Sequence, residues 1–267
     1  MRSFLPAIGR PHTVGLCAAV VIAVACHVQG AANWADGRNI DTIVCRANFS
    51  LKEYEGLLDE LARLRGDIRQ QLQLPESNEL IEIYLFSDEA TYEAYLKKYF
   101  PKIPYHRALF IKNNGPGRVF AFCGKQLEVD IRHEMTHAVL HAALPSVPLW
   151  LDEGLAKYYE QSAENRVYDN PYFSGLKWRV RFGSIPKLDE LEKKTAINDM
   201  GESQYRDAFA WVHFLVNGPP AARNELIAYL EDLGNGNTGK LSSRLEHRWA
   251  NPPQQLALHL RNWKKPR

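Results

Sequence analysis

Cysteine, net charge, long apolar runs and internal repeats are all scarce in this sequence. Its 267 residues include 4 cysteines and carry a formal net charge of +2. So small a net charge argues against nucleic acid as a partner, because binding to a phosphate backbone needs a marked excess of Lys and Arg on one face. With 45% hydrophobic and 24% charged residues, the composition is typical of a folded globular protein of one moderate domain.

The N-terminus has the layout of a cleavable export signal. Arg2 and Arg10 precede an apolar run over residues 14–25, and small residues follow at 30–32. That run is too short for a membrane span, so we expect a signal peptide over residues 1–32 and an exported protein in the periplasm, the cell envelope or the extracellular space. In an alternative interpretation, Cys26 is the lipidated first residue of a lipoprotein.

Removal of this signal has two consequences for the mature chain. Without Arg2 and Arg10, the 33 Lys and Arg residues fall to 31 and equal the 31 Asp and Glu residues. The cysteines that remain are Cys45 and Cys123. In an oxidising compartment they could form one disulfide, and two buried free thiols are the alternative that the sequence leaves open.

The order of the predicted elements favours an α+β fold, with an α/β lobe over about residues 40–145 and a mainly helical lobe over about 146–267. Together they form a single domain over residues 33–267. The first lobe is predicted to contain a helix from Ser50 to about Gln73, a strand over 79–86, a helix over 89–99 and a hairpin of 108–111 with 118–122. Further helices are predicted over 126–143, from about Pro148, and over 205–216, 221–233 and 241–249, whereas residues 162–202 give no clear pattern.

The motif that carries chemistry is His133-Glu134-Met135-Thr136-His137, inside the helix predicted over 126–143. Histidines four residues apart lie on one face of a helix, so both imidazoles can bind one metal ion. Glu134 is the next residue around the helix and can reach a water on that ion.

A third ligand is needed, and spacing separates the candidates. His141 lies eight residues after His133, about 12 Å along the helix, which is too far for one shared ion. Glu153 lies five residues into the next helix and His137 six residues before the end of the first, so a short turn brings them to the same level. Gly154 favours close approach of another backbone at this point.

Residues 130–160 resemble the gluzincins, the thermolysin-like clan of zinc peptidases, whose third ligand is a glutamate on the helix after the H-E-x-x-H motif. Residues 150–156 (WLDEGLA) are similar to a segment of exported bacterial members. The resemblance implies a gluzincin-like fold, zinc ligation by His133, His137 and Glu153, and general-base duty for Glu134. It also implies that an edge strand such as residues 118–122 pairs with an extended peptide or protein substrate.

One position departs from the clan. Thermolysin itself carries an aspartate four residues after its glutamate ligand, where it supports a histidine, and here Lys157 occupies that position. Asp130, Asp152 and Asp207 are candidate substitutes.

The predicted reaction is hydrolysis of a peptide bond by metal-activated water, with Glu134 as the base. Tyr205 resembles a tyrosine that related enzymes carry near the site and is a candidate to stabilise the transition state, although a tyrosine packed in the core is the competing interpretation. A different kind of function stays open, in which a zinc-binding envelope protein without turnover acts through interactions.

Overall fold

In a computed structural model, residues 34–265 and the backbone of residues 18–20 are described. The strands are β1 (Ala18–Val20), β2 (Asp36–Ile40), β3 (Ile43–Ala47), β4 (Ile81–Phe86), β5 (Ala108–Ile111) and β6 (Gly117–Phe122). The helices are α1 (Glu55–Leu72), α2 (Glu89–Tyr99), α3 (Leu127–Ala143), α4 (Leu149–Tyr159), α5 (Tyr172–Arg181), α6 (Leu188–Leu191), α7 (Glu202–Asn217), α8 (Pro220–Gly234), α9 (Leu241–Arg248) and α10 (Pro252–Asn262). The α+β class is confirmed, and the predicted signal segment with Cys26 lies outside the described residues except for the backbone of β1.

The strands form one mixed sheet in the order β1-β5-β6-β4-β3-β2. Strands β3, β4 and β6 pair parallel, whereas β2 with β3 and β5 with β6 form antiparallel pairs. Most of β4 is buried because both faces of the sheet are covered. On one face Ile83 and Leu85 join a core with α1 and α3, and on the other Tyr84 and Phe86 pack with Tyr92 of α2.

The predicted hairpin of β5 and β6 is present, but the prediction that residues 118–122 form an edge strand is wrong. β6 pairs with β5 on one side and with β4 on the other. Its parallel pairing with β4 places β5 outward, and β5 in turn pairs parallel with β1. Strand β5 therefore lies between β6 and β1, and β1 is the outermost strand on this side of the sheet.

The second half of the described chain is helical, and α7 lies at its centre. Every residue of α7 from Ala208 to Val216 is buried, and α7 packs against α4, α8 and α10. Helices α5 and α10 were not predicted from the sequence. Within residues 34–265, no helix is both long and apolar enough to cross a bilayer.

Cys45 and Cys123, for which the sequence left two states open, are free thiols in the structure. Cys45 lies on β3 and is buried, while Cys123 follows β6, and β4 separates the two strands. Burial raises the pKa of the Cys45 thiol to about 12.

Candidate metal centre

Helices α3 and α4 bring together the three side chains that the sequence predicts as metal ligands. His133 and His137 lie one turn apart on α3, and their ring centroids are 4.9 Å apart. Glu153 Oε2 lies 3.5 Å from His133 Nε2 and 3.9 Å from His137 Nε2. One ligand atom from each residue lies within 4.8 Å of the others, and all three side chains are 0% exposed.

The atoms that face one another in this cluster have no hydrogen-bond partner among the described residues. They are Nε2 of His133, Nε2 of His137 and both carboxylate oxygens of Glu153. Leaving buried polar atoms without a partner costs free energy, so such a convergent set calls for an explanation. Two imidazole nitrogens and one carboxylate are donors that suit a divalent cation. This cluster therefore fits a metal ion.

Two further carboxylates hold the opposite nitrogens of the histidine rings. His137 Nδ1 lies 2.7 Å from Asp152 Oδ1, and His133 Nδ1 lies 3.0 Å from Glu160 Oε2. When each Nδ1 donates its proton to a carboxylate, Nε2 of the neutral ring is left with a lone pair directed at Glu153. Both rings are thereby oriented for ligation.

The charges in this cluster shift the pKa values of the two histidines upward. Burial acts to lower the pKa of His137, but the Asp152 carboxylate, with Glu153, outweighs it and raises that pKa to about 10. For His133, burial and the Lys157 ammonium act to lower the pKa, yet contacts with Glu153 and Glu160 leave it raised. Binding of a cation at these nitrogens would accordingly release protons.

Of the three aspartates that the sequence offers as support for a histidine ligand, the structure places one beside a histidine of the cluster. Asp152 contacts His137, whereas Asp130 pairs with Arg107 at 2.6 Å and Asp207 pairs with Arg179. His141, which spacing excluded as a ligand, bonds the second oxygen of Asp152 at 2.9 Å. Asp152 therefore joins two histidines of α3.

Glu160 is a residue of the site that the sequence analysis missed. Its position seven residues after Glu153 is the signal that could have found it, because residues seven apart lie on the same side of a helix. Lys157, the departure from the clan pattern, bonds Glu160 Oε2 at 2.9 Å. The Glu160 carboxylate that contacts His133 Nδ1 thus also forms an ion pair with Lys157.

The two predicted catalytic residues lie in the buried interior. Glu134 is 0% exposed, between the two histidines in sequence. Tyr205 lies in the first turn of α7, is also buried, and has the Lys157 ammonium 5.8 Å from its ring centroid. Phe110 of β5 stacks on His137, with centroids 6.2 Å apart, so β5 lies beside the cluster.

Gly154 allows a close approach between helices, as the sequence predicts, and the neighbour is α7. A Cβ atom at this position would lie 2.8 Å from Val212 Cγ2 and 2.9 Å from the carbonyl oxygen of Ala208. The position next to Glu153 therefore needs glycine for α4 and α7 to pack as they do.

No protein-family profile matches this chain, and no curated protein matches its sequence. The resemblance to the gluzincins accordingly rests on the motifs within residues 130–160.

Proposed function

We propose that this protein is an exported, zinc-dependent peptidase of the gluzincin type. The observation that carries the proposal is the buried cluster of His133, His137 and Glu153, with ligand atoms within 4.8 Å of one another. Two histidines and one glutamate leave a fourth position for water in a tetrahedral zinc site, which is typical of catalytic rather than structural zinc. The signal-like residues 1–32 support export.

In this proposal each residue has a separate task. His133, His137 and Glu153 hold the ion, which when bound polarises the substrate carbonyl and increases the acidity of water. Glu134 accepts a proton from the attacking water and delivers it to the leaving amine. Tyr205 is a candidate donor to the developing negative charge on the carbonyl oxygen.

An extended peptide would pair with β5 rather than with β6. Strand β5 runs beside the cluster through Phe110, and its outer side is paired with β1. β1 belongs to the predicted signal, so cleavage after residue 32 would leave the backbone groups of β5 available to another strand.

One observation favours the alternative of a zinc-binding envelope protein without turnover. His133, Glu134, His137 and Glu153 are all 0% exposed, whereas a substrate carbonyl has to come within reach of Glu134. A peptidase therefore requires the structure to open around the cluster, whereas a zinc-binding protein without turnover does not.

Measurements of metal content and of hydrolysis test the proposal together. The purified protein is expected to contain one zinc per chain and to cleave members of a peptide library in a chelator-sensitive way. Glu134→Gln should keep the zinc and lose hydrolysis by about 100-fold or more, whereas Glu153→Ala should lose most of the zinc. Zinc retention without hydrolysis by the unmodified protein would favour the alternative of a zinc-binding protein without turnover. A wild-type rate of hydrolysis for Glu134→Gln would refute the mechanism.

A further inference from the structure

Helix α5 and the residue that follows it expose two large aromatic side chains. Trp178 and Phe182 are 65% and 68% exposed, and their ring centroids lie 4.7 Å apart. The opposite side of the helix is fixed in the core through Phe173, Leu176 and Val180. The aromatic pair therefore points away from the side on which the helix packs, and packing of the helix does not explain why these two positions are aromatic.

The sequence around this pair carries charge of one sign. Residues 171–188 include Lys177, Arg179, Arg181 and Lys187 but no Asp or Glu. Residues 247–267 likewise contain five Lys and Arg residues and no Asp or Glu. In a chain with 31 acidic residues, two such stretches are a marked asymmetry of charge.

The two stretches meet in space because α10 lies against α5. Arg261 Nη2 donates to the carbonyl oxygen of Val180 at 3.0 Å, and Lys177 Nζ donates to the carbonyl oxygen of Trp263 at 2.6 Å. Leu258, one turn before Arg261 on α10, is also exposed. We use the term α5–α10 face for the exposed residues Trp178, Arg181, Phe182, Leu258, Arg261 and Lys264.

Carboxylates from other segments neutralise only part of this charge. Asp207 pairs with Arg179, and Asp169 pairs with Lys265 at 2.9 Å. Arg181 and Lys264 are exposed, Arg261 donates to a neutral carbonyl group, and within residues 34–265 no carboxylate forms an ion pair with any of the three.

We propose that the α5–α10 face docks on the anionic surface of a lipid bilayer. Trp178 and Phe182 would enter the interfacial region, where aromatic side chains are stable, and Arg181, Arg261 and Lys264 would contact phosphate headgroups. The local excess of positive charge beside exposed aromatic side chains favours an anionic lipid surface, because this combination matches the headgroup charge and the apolar boundary of such a bilayer. This inference does not depend on the metal cluster or on peptidase activity.

Vesicle binding and quenching of tryptophan fluorescence test this proposal on the full-length chain. Vesicles that contain phosphatidylglycerol should bind the protein, with weaker binding as salt is raised, and vesicles of phosphatidylcholine alone should bind it about tenfold less. None of the six tryptophans lies in residues 1–32, and Trp178 is the one that is exposed. The part of the quenching by brominated phosphatidylglycerol that is lost in Trp178→Phe therefore reports insertion of Trp178 and not of the apolar N-terminus.

Variants with matched controls distinguish the face from the rest of the surface. Trp178→Ser combined with Phe182→Ser should lower binding by about tenfold or more, and Arg181→Gln by about fivefold. Leu80→Ser combined with Tyr105→Ser removes side chains that are 46% and 48% exposed elsewhere and should leave binding unchanged. Lys97→Gln, at an exposed site on α2, is the corresponding charge control.

Trp178→Phe separates insertion from mere attachment. It should bind anionic vesicles as the unmodified protein does, yet lose most of the quenching. Equal binding to neutral vesicles, quenching that persists in Trp178→Phe, or binding of soluble polyphosphate without vesicle binding would each overturn the proposal.

Discussion

Asp152 and Glu153, adjacent on α4, contact opposite nitrogens of the same histidine. Asp152 Oδ1 lies 2.7 Å from His137 Nδ1, and Glu153 Oε2 lies 3.9 Å from His137 Nε2. Because neighbouring side chains on a helix point about 100° apart, the His137 ring must lie between them. One turn of α4 thus supplies both a candidate ligand and the carboxylate that orients a second candidate ligand.

Replacement of Asp152 by alanine should weaken metal binding. His137 and His141 would both lose their partner, and the loss of such a supporting carboxylate typically costs 10- to 100-fold, so we expect an effect of about that size in zinc affinity. Competition with a chromophoric chelator measures it. Asp130→Asn is the matched control, because Asp130 pairs with Arg107 instead of a histidine of the cluster. Equal zinc affinity of Asp152→Ala and the unmodified protein would contradict the role of Asp152.

Replacement of Glu160 by alanine should have a related effect through His133. The variant removes the acceptor 3.0 Å from His133 Nδ1 and leaves the Lys157 ammonium without its carboxylate. We expect a loss of about tenfold or more in zinc affinity, and part of it should return in Glu160→Gln, whose amide oxygen can still accept. If Lys157→Met alone caused the same loss, the ion pair rather than the contact with His133 would be responsible.

The sequence predicts those features of the site that depend only on the positions of residues within one helix or within two consecutive helices. The bounds of α3 and α4 follow from periodicity and from the break at residues 144–146, and they bring Glu153 level with His137. The choice of Asp152 over Asp130 and Asp207 depends on how α4 is rotated against α3, which is fixed by packing against α7. That packing is non-local, so spacing along the chain does not reveal it.

The error about β6 and the omission of α10 have different causes. A hairpin predicts that two strands pair but not which of them faces the rest of the sheet, and here the parallel pairing of β6 with β4 decides it. Helix α10 had a readable start, because Asn251 caps it by accepting from the backbone N–H of Gln254 at 3.1 Å, and two prolines follow the cap.

Replacement of Gly154 by alanine should destabilise the protein although alanine favours helix. The added Cβ would lie 2.9 Å from a backbone oxygen of α7, and overpacking of this kind costs about 1 to 3 kcal/mol. Urea denaturation should show a lower free energy of unfolding. Gly66→Ala, in α1 with nothing within 4 Å of its added Cβ, should instead stabilise by up to about 1 kcal/mol. A stabilised Gly154→Ala would show that α4 and α7 are not in such close contact.

A hydrogen-bonded pair of histidines, His213 buried and His259 partly buried, joins α7 to α10. His213 Nε2 lies 3.0 Å from the carbonyl oxygen of Val167, so it carries a proton, and His213 Nδ1 must then accept from His259 Nε2 at 2.9 Å. Burial lowers the pKa of His213 to about 3 and that of His259 to about 4. Both rings stay neutral in the folded protein at mildly acidic pH.

This pair should make the protein less stable as the pH falls below about 6.5. Below this pH the histidines of the unfolded chain take up protons, whereas the folded pair does not. The contribution of the pair to the free energy of unfolding is therefore complete above the ordinary histidine pKa and is lost as the pH falls towards 4. For His259 the loss between pH 7.5 and 5 should be about 1 to 2 kcal/mol. Urea denaturation at both pH values, with excess chelator, measures it. His259→Gln, which can still donate to His213, should lose correspondingly less stability than the unmodified protein, and His247→Gln on the surface should behave like the unmodified protein. An identical loss in His259→Gln would mean that protonation of this pair does not govern the pH dependence.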